Sequence, residues 1–365
     1  MPTRRNFIEL TAGVLAASPL VAMTASAGQA AVDKAAEPLS ILFLGGTGFI
    51  GPHQINYALA RGHKVTMFNR GSSPNMYGDA VEELIGNRDD NIDDGLAVLR
   101  SDRTWDVVVD NSGYVPRHVI DSAELLKDRC KRYVYVSTVA VYDFDAATVF
   151  PENAELADLD DPTVEEVTGE TYGPLKAACD LAVQEIFGDR CTIVRPTYIV
   201  GPGDTTDRFT YWVDRVNRGG DVLAPDGPAR EVQWVDARDL CPFIIELAEN
   251  DTPGIFNAAG PSSPVDREGL MWGLRAMTSA PVTLHWPSDE LVEELDINQP
   301  MMGREDSYHF VNTASMAAGL HYRSLADTAA ATLEWWQSQP EDRRANPRRW
   351  PTPEQEQAAI ETMSG

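Results

Sequence analysis

The chain has 365 residues, of which 43% are hydrophobic and 24% charged. This composition excludes disordered and fibrous classes and supplies enough apolar chain for one large core and a smaller one. With 56 Asp and Glu against 30 Lys and Arg, the formal net charge is -26, so there is no basic field to gather nucleic-acid phosphates or anionic lipid. Nucleic acid is not expected as a partner, whereas a small substrate anion can still be held by a few local arginines.

In chain order, the first feature is Thr3-Arg4-Arg5-Asn6-Phe7-Ile8, an apolar stretch from Leu10 to Met23 and the small residues Ala25-Ser26-Ala27. These resemble a twin-arginine export signal with its cleavage site. The apolar stretch falls short of the roughly 20 residues that a membrane span needs. The resemblance implies a signal peptide over residues 1–27, export by the twin-arginine machinery as a folded protein, and a periplasmic or extracellular location.

From Leu39 onward short apolar runs alternate with amphipathic stretches, the pattern of βαβ units building a parallel sheet. Strands are expected at Leu39–Leu44, His63–Phe68, Ala80–Ile85, Trp105–Asp110, Tyr133–Ser137 and Thr192–Arg195, and helices at Pro52–Ala60, Ile120–Lys127 and Tyr172–Phe187. The fold class is therefore α/β, a doubly wound parallel Rossmann sheet over residues 38–200. Past Gly201-Pro202-Gly203-Asp204 the pattern loosens. A helix over Phe209–Asn217, short strands at Glu231–Val235, Ile255–Ala258 and Val282–Leu284, and a helix ending in Trp335-Trp336 suggest a smaller substrate lobe over residues 201–338, with some chain returning to the Rossmann core. Residues 339–365 form a charged, Pro-rich tail with a helix expected at Pro353–Met363. Cys130, Cys179, Cys191 and Cys241 lack disulfide or zinc spacing and read as buried thiols, and none of the six histidines shows ligand spacing, so no metal is expected.

Between the first strand and helix stands Gly45-Gly46-Thr47-Gly48-Phe49-Ile50-Gly51. Glycines here let the backbone turn tightly and approach a pyrophosphate, while the helix that follows points free N–H groups at the anion. Such a string is also compatible with a tight structural turn, but its strand-turn-helix setting favours a dinucleotide. At the end of the second strand, where NAD enzymes place an acid, stand Asn69 and Arg70. A guanidinium suits a 2′-phosphate, so NADP is expected slightly ahead of NAD.

Tyr172-Gly173-Pro174-Leu175-Lys176 sets a phenol and an ammonium at i and i+4 on one helical face. A nearby cation stabilises a phenolate, as a general base requires. Together with the glycine turn, Ser137-Thr138-Val139-Ala140-Val141-Tyr142 after the fifth strand and Arg195-Pro196 at the sixth, this resembles the extended short-chain dehydrogenase/reductase family, in its NAD-dependent epimerase/dehydratase branch. The resemblance covers residue 39 to about residue 260. It implies that Tyr172 takes the proton of a substrate hydroxyl while Thr138 bonds the same oxygen. By the same resemblance Lys176 holds the nicotinamide ribose and lowers the Tyr172 pKa. Asn111, Ser112 and Gly113 line the cofactor by backbone, Pro196 adjoins the nicotinamide, Ser137 faces the substrate, and Arg230 contacts a substrate diphosphate. A homodimer is a further implication.

Three features depart from the branch. Val139-Ala140 follows Thr138 where sugar dehydratases carry an Asp-Glu pair, which disfavours dehydration. Asn111-Ser112-Gly113 and Asn87 differ from the usual cofactor-lining residues. The stretch from Glu152 to Glu170, in which 8 of 19 residues are acidic, is expected over the pocket mouth as a solvated loop or a lid. The expected activity is an NAD(P)-dependent epimerase or oxidoreductase acting on a secondary alcohol of a sugar-like or nucleotide-sugar substrate. The alternatives are a non-catalytic NAD(P)-binding protein that binds RNA or senses redox state, and a simple NADPH carbonyl reductase.

Overall fold

A computed structural model describes residues 32–73, 75–302 and 308–364. The expected signal peptide lies outside these residues. The N-terminal half runs β1 (Ser40–Leu44), α1 (Ile50–Arg61), β2 (Lys64–Asn69), β3 (Glu82–Ile85), β4 (Trp105–Asp110), α2 (Pro116–Leu126), β5 (Cys130–Val136), β6 (Val149–Phe150), α3 (Tyr172–Phe187) and β7 (Cys191–Pro196). The remainder runs β8 (Tyr198–Val200), α4 (Arg208–Arg218), β9 (Gly220–Leu223), β10 (Trp234–Asp236), α5 (Ala237–Glu249), β11 (Gly254–Ala258), α6 (Arg267–Arg275), β12 (Val282–His285), α7 (Asp289–Glu294), β13 (His309–Phe310), α8 (Thr313–Ala317), α9 (Leu325–Ser338), α10 (Glu341–Ala345) and α11 (Pro353–Ser364).

Seven strands form one sheet in the order β11-β7-β5-β4-β1-β2-β3, and every pairing in it is parallel. The doubly wound α/β fold is thus as expected. Strand periodicity explains the two layers, because successive side chains leave a strand on opposite faces. Ile41 and Phe43 pack with Ile55 of α1 and Phe243 and Leu247 of α5. Leu42 and Leu44 pack on the other face with Val119 of α2 and Val183 and Phe187 of α3. All four cysteines are free and buried.

Several boundaries differ from the sequence expectation for local reasons. Pro116 begins α2 at its first helical position, where a missing N–H costs nothing. The third strand starts at Glu82, because Gly78–Ala80 forms a turn of 3-10 helix instead. β11, expected in the second lobe, is the edge strand of the main sheet beside β7. The second lobe gathers around Phe209, Trp212, Trp234, Leu270 and Met302. The charged tail packs against it: Arg215 pairs with Glu356 at 2.8 Å, and Arg343 pairs with the fully buried Asp207 at 2.5 Å.

Candidate functional site

The glycine turn joins β1 to α1 at the C-terminal edge of the sheet, where ligands of open α/β folds bind. Its glycines have distinct physical reasons. Gly45 has a φ of +85°, and a Cβ there would meet Ser112 Cβ at 2.8 Å; one on Gly51 would meet the Gly46 carbonyl oxygen at 2.4 Å. Gly46 is buried against Met67, and a Cβ would lie 2.5 Å from its Sδ. Gly48 is exposed, and a Cβ there would meet nothing within 4 Å. Three glycines therefore close the turn on itself, while Gly48 keeps open the space in front of it. Thr47 is half-buried, Phe49 immediately precedes α1 and lines the adjoining cavity, and Ile50 is the first residue of that helix. This cradle fits a dinucleotide.

The β4 exit braces the turn. Asn111 donates to Gly45 O at 3.0 Å and exchanges hydrogen bonds with the Gln54 carboxamide of α1 at 2.6 and 3.1 Å. Ser112 Oγ donates to Leu44 O at 3.1 Å. Beneath them Arg88 grips Asp110 at 2.6 and 2.9 Å, and Tyr133 donates to the same carboxylate at 2.7 Å. Burial pushes the Asp110 carboxyl up, but Arg88 and these hydrogen bonds hold it below its ordinary value.

At the β2 exit Asn69 donates to Glu83 Oε1 of β3 at 2.8 Å and accepts from Gly71 N at 2.6 Å. Arg70 is exposed and makes no ion pair among the described residues. A carboxylate therefore stands at this edge after all, supplied by β3 and not by β2, and no motif in the sequence points to it.

A cavity of about 580 Å³ opens beside the β5 and β7 exits. Ser137, Thr138, Tyr172 and Pro196 line it, as do Phe144, Arg208, Arg267 and Met302. Thr138 Oγ1 accepts from Ala140 N at 3.1 Å, and the Tyr172 phenol lies in the same wall. Pro174 sits in the first turn of α3, and Gly173 permits close approach to β5's exit, since a Cβ would lie 2.3 Å from Ala140 O. Burial pushes the Tyr172 phenol above its ordinary value, while the neighbouring Thr138 hydroxyl and the Arg208 charge pull it down.

Lys176 departs from expectation. Its ammonium is buried and donates to Gly113 O at 2.8 Å, Val136 O at 2.9 Å and Tyr135 Oη at 2.5 Å, which satisfies all three protons. Burial pulls its pKa down to about 8. It clasps β4, β5 and α3 together, and burial, not this lysine, dominates the Tyr172 phenol. The phenol of Tyr135 in this clasp carries no sequence signal.

Arg230 also departs. It pairs with Asp226 at 3.4 Å and with Asp289 and does not line the cavity. Among the described residues the cavity cations are Arg208, at the start of α4, and Arg267, at the start of α6; neither belongs to a motif. No residue from Glu152 to Glu170 lines the cavity, and Glu165 instead pairs with Arg117 of α2 at 2.6 Å, as a surface loop does.

Comparison with known proteins agrees with this geometry. The NAD dependent epimerase/dehydratase family model matches residues 41–259, more than half of the chain. A chloroplast stem-loop binding protein of 41 kDa from Arabidopsis thaliana is 26% identical over 60% of this chain and 58% of its own length, so the chain spans less than two thirds of that relative. An epimerase family protein from Bos taurus is 23% identical over 81% of this chain and 99% of its own. Among solved structures, the Bordetella bronchiseptica enzyme WbmG in complex with NAD and UDP superposes with a TM-score of 0.62 at 15% identity, covering 83% of this chain and 95% of that one. UDP-glucuronic acid 4-epimerase from Bacillus cereus in complex with NAD gives 0.60 at 15% identity, covering 81% and 96%. Both structures hold NAD, and the NADP preference expected from Arg70 is not supported. The chain belongs to the NAD dependent epimerase/dehydratase family.

Proposed function

We propose that this enzyme oxidises and re-reduces, or oxidises outright, a secondary alcohol of a sugar-like substrate, with Tyr172 as the proton acceptor. The observation that carries this reading is that Tyr172 and Thr138 line the wall of one cavity, which also takes in Phe49 of the glycine turn. Gly45 to Gly51 would hold the pyrophosphate of a nicotinamide dinucleotide, whose chemistry when bound is hydride exchange. Because Ala140 N–H is directed at Thr138 Oγ1, the Thr138 hydroxyl proton is left for the Tyr172 oxygen or the substrate oxygen. Tyr172 takes the substrate's hydroxyl proton as the carbonyl forms and returns it on reduction. Lys176 fixes the start of α3 against β5, so the phenol is held in place. At the β2 exit the Glu83 carboxylate would accept ribose hydroxyls and repel a 2′-phosphate, which favours NAD. Val139-Ala140 supply no acid or base for eliminating water.

Tyr172→Phe keeps the ring and removes the hydroxyl. A loss of at least about a hundredfold in kcat with the dinucleotide still bound is expected for a lost acid–base group; an unaltered rate would overturn the assignment. A second reading, binding of an RNA stem-loop, is suggested by the plant relative and opposed by the net charge of -26. Filter binding at several salt concentrations separates the two, since phosphate-backbone binding weakens steeply with salt. The same proposal includes export by the twin-arginine route with the dinucleotide bound beforehand. Cell fractionation of an Arg4→Lys, Arg5→Lys double variant tests it, retention in the cytoplasm being expected.

A further inference from the structure

The substrate cavity contains an electrostatic imbalance. Of its two arginines, Arg267 is 3% exposed, and its Nη1 donates to the Asp226 carboxylate and to Asp226 O, the latter at 3.0 Å. The cavity's acid, Glu231, pairs with His309 at 2.8 Å. Arg208 forms no ion pair among the described residues. Its Nε donates to Thr206 Oγ1 at 2.9 Å, and its guanidinium lies 4.9 Å over the Tyr198 ring. These two contacts fix the plane of the guanidinium, and its terminal nitrogens, Nη1 and Nη2, have no hydrogen-bond partner among the described residues. Asp204, whose charge acts on the same region, accepts instead from Thr206 N at 2.8 Å and Thr206 Oγ1 at 2.6 Å.

In so acidic a chain this is unusual. Arg88, Arg195, Arg215 and Arg267 all reach the interior and each has found a carboxylate. A planar fork held by stacking and one hydrogen bond, with its outer edge open, is pre-organised for a bidentate anion. The rest of the wall is largely apolar, with Phe49, Phe144, Met301, Met302 and Phe310. A guanidinium with no ion pair among the described residues can take one anionic group in such a setting. A nucleoside diphosphate would bury a second charge for which the described residues supply no further unpaired cation, which is costly.

We infer that Arg208 is the anion anchor of the substrate cavity and that the substrate is a sugar acid carrying one carboxylate, not a nucleotide sugar. This rests on the reading that the Tyr172 cavity is the substrate site. Anchored at the start of α4, the carboxylate would hold the sugar ring across the cavity from the Thr138 and Tyr172 hydroxyls.

The test is calorimetric titration of the purified holoenzyme with D-glucuronate, its neutral methyl ester, D-glucose 6-phosphate and UDP-glucose, on wild type, Arg208→Met and Arg208→Lys. The acid should bind wild type about ten- to a hundredfold tighter than the ester, the range of one charge-assisted bidentate contact. Arg208→Met should abolish that preference, and Arg208→Lys should keep part of it, since the charge remains and the fork does not. Absence of acid-over-ester preference in wild type, including absence of any binding, overturns the inference. So does a preference that survives in Arg208→Met, or tighter binding of glucose 6-phosphate or UDP-glucose than of glucuronate. The wild-type comparison stands even if a variant fails to fold. Tyr172→Phe, titrated in parallel, should retain the preference. If its turnover is also intact, the catalytic role of Tyr172 fails while the Arg208 assignment holds.

Discussion

Gly48 and Gly51 stand three residues apart in one turn, yet replacing each with alanine should fail in opposite ways. A Cβ on Gly51 would lie 2.4 Å from Gly46 O, and reaching ordinary contact requires a backbone shift of about 1 Å. Such overpacking costs about 1–3 kcal/mol, a fall of about 5 °C in melting temperature for a domain of this size. A Cβ on Gly48 meets nothing within 4 Å, and its φ lies outside the left-handed region. Gly48→Ala should therefore leave the dinucleotide-free protein as stable as wild type, or raise stability by about 0.4–1 kcal/mol through a less flexible unfolded chain. The open space before Gly48 is where a pyrophosphate would approach, so the added methyl should weaken NAD binding about ten- to a hundredfold, or about 1.4–2.7 kcal/mol. Thermal melts without dinucleotide and calorimetric titration with NAD read the two effects separately. If Gly48→Ala binds NAD as tightly as wild type, the turn is a structural corner and not a dinucleotide cradle.

Three further outcomes follow from the same geometry. Glu83→Gln removes the carboxylate at the β2 exit and should shift the NADP-to-NAD affinity ratio toward NADP by about tenfold, one charge contact's worth; an unchanged ratio places Glu83 outside the ribose site. Lys176→Met removes the donor to Val136 O and Tyr135 Oη and leaves Gly113 O only the Tyr135 hydroxyl, so denaturant melts at pH 7 should show a loss of about 1–3 kcal/mol. Burial lowers the folded-state pKa of Lys176 from 10.5 to about 8. The unfolded chain therefore binds more protons between those values, and wild-type stability relative to Lys176→Met should rise across that pH window; a flat difference refutes the buried, charged clasp. Because the Tyr172 phenol lies above its ordinary value, the oxidation rate should keep climbing with pH through the alkaline range, and a plateau at neutrality would show that another group takes the proton.

Much of this site was legible in the chain because the chemistry that made it legible is local. The glycine turn reads from four glycines within seven residues, and Thr138, Tyr172 and Pro196 read from short motifs at strand exits or helix starts; all three line one cavity. Arg208, Arg267, Glu83 and Tyr135 were not legible, since each acquires its role from residues distant in sequence. Glu83 matters through Asn69, fourteen positions away, and Tyr135 through Lys176, forty-one positions away.

By itself the sequence determined the parallel α/β architecture, because continuous apolar strands such as Ile41 to Leu44, buried on both faces, and amphipathic helices between strands admit few other arrangements. It also determined the glycine cradle, since only glycine fits where Ser112 and the Gly46 carbonyl crowd the turn. Tertiary structure alone decided which charges are neutralised. It locked Arg230 and Arg267 to Asp226, satisfied all three protons of Lys176, and left Arg208 open to the cavity. Ion pairing depends on distances of a few ångströms between groups far apart in the chain, and no local pattern of residues encodes those distances.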